Sequence, residues 1–128
     1  MPKLIYLAVP YSHPSASIRQ ERFEKVNEVA ARIMESGDAV FSPISHSHPI
    51  EMHMNGKKLT WEFWQVQDLP ILHACQELWV LTLDGWTESV GVTGEIEHAQ
   101  QLGIPVRYIY FSDYREQTEA NGVQPETA

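Results

Sequence analysis

Four short apolar runs punctuate the chain, at residues 4–9, 39–42, 78–83 and 106–111, and the stretches between them carry apolar residues mostly at helical spacing. The runs are nearly continuous rather than alternating, which predicts strands buried on both faces. Pro10 closes the first and Pro43 follows the second. Residues 10–17 are rich in Pro and Ser and read as a loop, with Ser15 or Ser17 placed to cap a helix. From Ile18 onward Phe23, Val26, Val29, Ala30, Ile33 and Met34 recur on one stripe, and Gly37 supplies a stop. Residues 44–58 show no sustained period, so a long functional loop is expected there. Thr60 is placed to cap a further helix through Trp61, Phe63, Trp64 and Gln67, which Pro70 is expected to interrupt, leaving Asp68 at or beside a bend. After the third strand, a glycine-rich turn over residues 84–94 leads into a helix that Gly103 and Pro105 end.

This β-α-β-α-β-α-β order predicts a three-layer α/β/α fold, flavodoxin-like or Rossmann-like, with a parallel sheet of about four to five strands in the order 2-1-3-4. Ligands of such sheets bind beyond the carboxyl ends of the strands, where neighbouring crossovers leave in opposite directions. Residues 10–13 and 84–95 would then face each other across one crevice. Glu95 is expected just inside the helix start, where the helix dipole favours the ionised carboxylate. On the residues alone it is a nucleophile, a base or simply a good first-turn residue.

With 128 residues, 43% of them hydrophobic, the chain is sized for one domain with a real core. The domain is expected over residues 1–112, with a polar, mobile tail over 113–128. A net charge of -8 argues against broad affinity for a nucleic-acid polymer or an anionic membrane, and no apolar run is long enough to span a bilayer. Cys75 is the only cysteine, so an internal disulfide is excluded and a cytoplasmic location is expected. His46, His48 and His53 invite a metal reading, but no HExxH or Cys-His pattern accompanies them. Neither a metal nor another cofactor is expected. His46 and His48 are instead expected to line the crevice or hold its lid.

Three short motifs in order then carry a resemblance. Residues 5–12 (Ile-Tyr-Leu-Ala-Val-Pro-Tyr-Ser), Asp68 ahead of Leu72, and residues 89–95 (Ser-Val-Gly-Val-Thr-Gly-Glu) ahead of Ala99 resemble the nucleoside 2-deoxyribosyltransferase superfamily, which includes the 2'-deoxynucleoside 5'-monophosphate N-glycosidases. The resemblance spans about residues 4–110. It implies that Glu95 attacks the anomeric carbon of the sugar, that Asp68 contacts sugar hydroxyls or assists proton movement, and that Tyr6 orients Glu95 or the ribose. Ser89 and the amides around Gly91 match the side of the monophosphate enzymes that holds a 5'-phosphate. The chain departs from that pattern at Val9, commonly glycine in relatives, and at Pro10, a hydroxyl residue in the monophosphate enzymes. Tyr11, Ser12 and His13 are placed to compensate, with Arg19, in preference to Arg22, supplying the counter-charge. Trp64 and Trp86 are positioned to contact a base, whereas Trp61 is expected to pack. The bland readings stand beside these roles: Asp68 and Ser89 as helix caps, Tyr6 as core.

The implied activity is cleavage or transfer at the base-sugar bond of a nucleoside 5'-monophosphate, with a small nucleotide or nucleoside as partner. The alternative is a non-catalytic nucleotide or nucleotide-sugar sensor. Relatives imply a homodimer or homotetramer.

Overall fold

The computed structural model describes residues 2–55 and 59–114. Its centre is a parallel sheet of β1 (Leu4–Ala8), β2 (Ala39–Phe41), β3 (Glu77–Leu81) and β4 (Val106–Ile109), in the order β2-β1-β3-β4. The strand order and the α/β class follow the sequence expectation. Tyr6 in β1 lies level with Phe41 on one side and Leu78 on the other.

Alternation along the strands divides the core in two. Ile5, Leu7, Trp79, Leu81 and Ile109 face one side, where α1 (Ala16–Glu35) covers them with Val26, Val29, Ala30 and Ile33. Tyr6, Ala8, Leu78 and Val80 face the other, beneath α3 (Trp61–His73) and α4 (Val90–Leu102), which contribute Leu72, Val92 and Ala99. Each aliphatic side chain fully buried in this way stabilises the fold by roughly 1.5–3 kcal/mol. Cys75 packs with the second cluster.

Local chemistry sets the helix ends. Ser15 accepts the Ile18 amide at the start of α1, and Gly37, with φ of 103°, allows the chain to turn after it. Gly103, with φ of 75°, ends α4. Among the described residues no helix is long and apolar enough to cross a membrane.

Three expectations need correction. The long loop expected over 44–58 is in large part a helix, α2 (Pro43–Glu51), and residues 56–58 lie outside the described residues. Ser42 caps it by accepting the Ser45 amide, and Pro43 stands at its start, where a missing N–H costs nothing. Its buried residues, Pro43, Ser47 and His48, are not an aliphatic stripe, so hydrophobic periodicity had nothing to detect. Pro70 does not break α3. It leaves only the Val66 carbonyl without its helical donor, and Val66 and Pro70 are both exposed, so solvent is at hand. Asp68 therefore sits within a continuous helix rather than at a bend. The last strand ends at Ile109, and residues 111–114 form a helical turn. The tail expected to be mobile, 113–128, lies beyond the described residues from 115 onward.

Candidate active site

At the carboxyl ends of β1 and β3 the chain encloses a cleft of about 1050 Å³. Its walls are the loop after β1, the cleft-facing sides of α1, α2 and α3, and the turn leading into α4. Pro10, Tyr11, Ser12 and His13 thus lie across from Ser89, Gly91 and Glu95, the juxtaposition that the strand order predicts.

Glu95 and Tyr6 reach this site from different layers. Glu95 is the sixth residue of α4, on its inward face, and only 5% exposed. Tyr6 points from β1 toward the same side of the sheet and donates its hydroxyl to Glu95 Oε2 at 2.5 Å. The Tyr6 ring is fully buried, with Phe41 at 6.1 Å, so its ring serves the core while its hydroxyl serves the site. Burial pushes the Glu95 pKa up to about 8; the Tyr6 hydrogen bond opposes this and the charge of Asp68 adds to it. The expectation of a carboxylate ionised by the helix dipole therefore fails, because Glu95 lies beyond the first turn, where that field acts, and desolvation wins. Asp68, also in the cleft, is raised to about 6 by burial. Tyr6 itself is raised well above its ordinary value, first by burial and then by Glu95 and Asp68.

The glycines of the opposing wall have separate causes. Gly85 has φ of 92°, and a Cβ there would also lie 2.9 Å from Arg22 Nη2. Gly91 and Gly94 instead make room for the Trp61 indole of α3: a Cβ on Gly91 would sit 3.6 Å from the ring, and one on Gly94 only 2.7 Å from its Nε1. Ser89 caps α4 by accepting the Val92 amide at 3.1 Å, and it lines the cleft at the same time.

Among the described residues, Arg19 and Arg22 are the cations that face this space. Arg19 donates through Nη1 to the His13 carbonyl. Arg22, the less favoured of the pair on sequence, lines the cleft as well and joins both loops, donating to the Ser12 carbonyl at 3.2 Å and the Asp84 carbonyl at 2.8 Å.

Other expected contacts lie elsewhere. Trp86 is not in the cleft; it begins a 3-10 turn (Trp86–Glu88) after the left-handed Gly85, and its ring packs against Tyr108 at 5.3 Å. His46 is exposed beside Phe41, whereas His48 is buried behind Tyr11 and stacked on Phe23, so neither lines the cleft. The helical twist of α2 turns Ser47 and Glu51 into the cleft instead. Trp64 does line it, together with Trp61, which was expected only to pack. The Gly91-Gly94 spacing, one turn on one helix face, was the available signal for a large ring opposite. Among the described residues no group of three or more His, Cys, Asp or Glu is arranged to hold a metal ion.

The fold and cleft define an α/β protein with a buried carboxyl at the topological switch point of a parallel sheet. A family model described as a domain of unknown function (DUF1937) matches residues 3–111, and the chain belongs to that family. A solved structure of a 2-deoxyribosyltransferase from the psychrotolerant bacterium Bacillus psychrosaccharolyticus is similar in fold, with a TM-score of 0.61 at 22% identity, covering 84% of this chain and 72% of that one. No curated protein matches the sequence.

Proposed function

We propose that this protein cleaves or transfers the base-sugar bond of a nucleoside 5'-monophosphate, with Glu95 as nucleophile. The observation that carries the reading is a carboxyl buried at the switch point, held by the Tyr6 hydroxyl and opening into a cleft that also holds Asp68. The likeness in fold to a 2-deoxyribosyltransferase supports it. In this reading ionised Glu95 attacks the anomeric carbon as the bond to the base nitrogen breaks, and the base leaves with the bonding electrons and a proton. Asp68, raised to about 6, is itself ionised wherever Glu95 is, so it is suited to hold sugar hydroxyls, and the proton that the base takes up comes from solvent. Water or a second base then takes the sugar from the glycosyl ester and restores Glu95. Ser89 and the first-turn amides around Gly91 hold the phosphate, with Arg19 and Arg22 as counter-charge across the cleft. Ser12 and His13 stand in for the loop that Val9 and Pro10 alter, and Tyr11 lines the same wall. Trp64 contacts the base.

Purified protein incubated with a panel of nucleotides is expected to release free base, measured chromatographically. Glu95→Gln and Glu95→Ala are expected to lower the rate at least about a thousandfold. Full activity in both variants removes Glu95 as nucleophile.

One observation favours a second reading, a nucleotide sensor without turnover: a carboxyl with pKa near 8 is largely protonated at neutral pH and so weakly nucleophilic. Thermal stabilisation by a nucleotide, with no base released up to pH 9, selects the sensor.

A further inference from the structure

Behind Tyr11 runs a chain of side chains whose hydrogen bonds have one consistent direction. Gln20 Nε2 donates to Glu24 Oε2 at 2.9 Å, a carboxylate oxygen that only accepts. The amide oxygen of Gln20 therefore faces His48 Nε2, at 3.1 Å. That oxygen too only accepts, so Nε2 carries a proton, and in the neutral imidazole Nδ1 is then bare. The Tyr11 hydroxyl, 2.6 Å from Nδ1, must then donate to it. The ring has little freedom to do otherwise, being 7% exposed and stacked on Phe23 with centroids 4.1 Å apart.

Two neighbours bear on the same hydroxyl oxygen. Burial, and after it the Glu51 charge, raise the Tyr11 pKa, while Arg19, which only donates, opposes them by charge and hydrogen bonding. Tyr11 and Glu51 both line the cleft. That wall thus offers the hydroxyl oxygen and a carboxyl group, and the Tyr11 proton is committed to His48.

We propose that Tyr11 determines ligand specificity: its oxygen meets the ligand only as an acceptor and selects a group bearing an N–H or O–H, an exocyclic base amine or a sugar hydroxyl, over an analogue that lacks it. His48 and Gln20 are positioning residues that set this polarity. The inference rests on the nucleotide reading above.

The test measures binding, so that it does not depend on turnover. Dissociation constants are determined by calorimetry at pH 8 on Glu95→Gln protein for matched nucleotides: 6-amino against 6-unsubstituted purine, 4-amino against 4-unsubstituted pyrimidin-2-one, and ribo against 2'-deoxyribo. At least one pair is expected to favour its donor-bearing member about tenfold, and the responding pair identifies an amine or a sugar hydroxyl. Adding Tyr11→Phe is expected to bring that ratio within about threefold by removing one hydrogen bond, with a Tm lowered by several degrees because His48 Nδ1 loses its donor. Gln20→Met, on an exposed position, is expected to shrink the ratio as well while Tyr11 stays intact, because the imidazole tautomer loses its constraint. A ratio untouched by Tyr11→Phe, or a parent protein favouring the members that lack the donor, overturns this inference alone. If no nucleotide binds, the nucleotide reading falls and this inference with it.

Discussion

Glu95 opposes stability and chemistry to one another within a single side chain. The folded protein holds the Glu95 proton up to about pH 8, whereas an ordinary glutamate releases it near 4.5. The folded state thus binds more protons than the unfolded chain across that interval, and stability falls as pH rises through it. The penalty above pH 8 is on the order of a few kcal/mol. Glu95→Gln carries no such charge, so its Tm is expected to exceed that of the parent by at least about 5 °C at pH 8.5, with little difference at pH 4.5, read by calorimetry across pH. Activity has the opposite sign: if ionised Glu95 attacks, kcat/KM climbs with pH toward a limb near 8. Tyr6→Phe removes the hydrogen bond that opposes the rise. The limb should therefore move to higher pH and kcat drop by about ten- to a hundredfold, in a pH-rate profile.

At the level of elements, the contact between α3 and α4 depends on what Gly94 lacks. A methyl group there meets the Trp61 indole at 2.7 Å, too close without movement of the ring or the helix. Gly94→Ala is expected to cost about 1–3 kcal/mol in urea unfolding and to change tryptophan emission, while Thr93→Ala, on an exposed position, should leave both nearly unaltered. The strands and α1 were legible beforehand because their information is one-dimensional: an apolar run, or the 26-29-30-33 stripe that α1 buries. The switch-point crevice followed from element order alone. α2 was not legible, because it buries Pro43, Ser47 and His48, and the contacts that hold it, Phe23 on His48 and Ser45 on Asn27, come from α1. Glu95 was placed correctly in the cleft but with the wrong ionisation, since desolvation depends on the layers above and below it. The direction of Trp86 likewise follows from the left-handed Gly85 and the position of Tyr108.

For the molecule as a whole, the strands belong to both core clusters at once: Leu7 faces one and Tyr6 the other. We propose that the folded region unfolds as one unit. Leu7→Ala and Leu72→Ala, in opposite layers, are each expected to cost about 2–5 kcal/mol and to move a single urea transition without changing its slope. Two separable transitions would refute a shared core. We propose that the homodimer or homotetramer implied by the resemblance forms through the exposed Tyr108 of edge strand β4 and Tyr110 just beyond it. Light scattering on the parent and on a Tyr108→Glu, Tyr110→Glu double variant checks it, with a lower mass expected for the variant.

The central position of β1 also has a consequence for biosynthesis. Of the four strands β1 is made first, and α1 and β2 can join it once residue 41 has emerged, but its other edge is completed only by residues 77–81. At bacterial or eukaryotic elongation rates that edge waits several seconds for its partner. Until then the nascent domain carries an unpaired edge on its central strand, and the recovery of soluble protein should depend on how quickly the stretch between β2 and β3 is read.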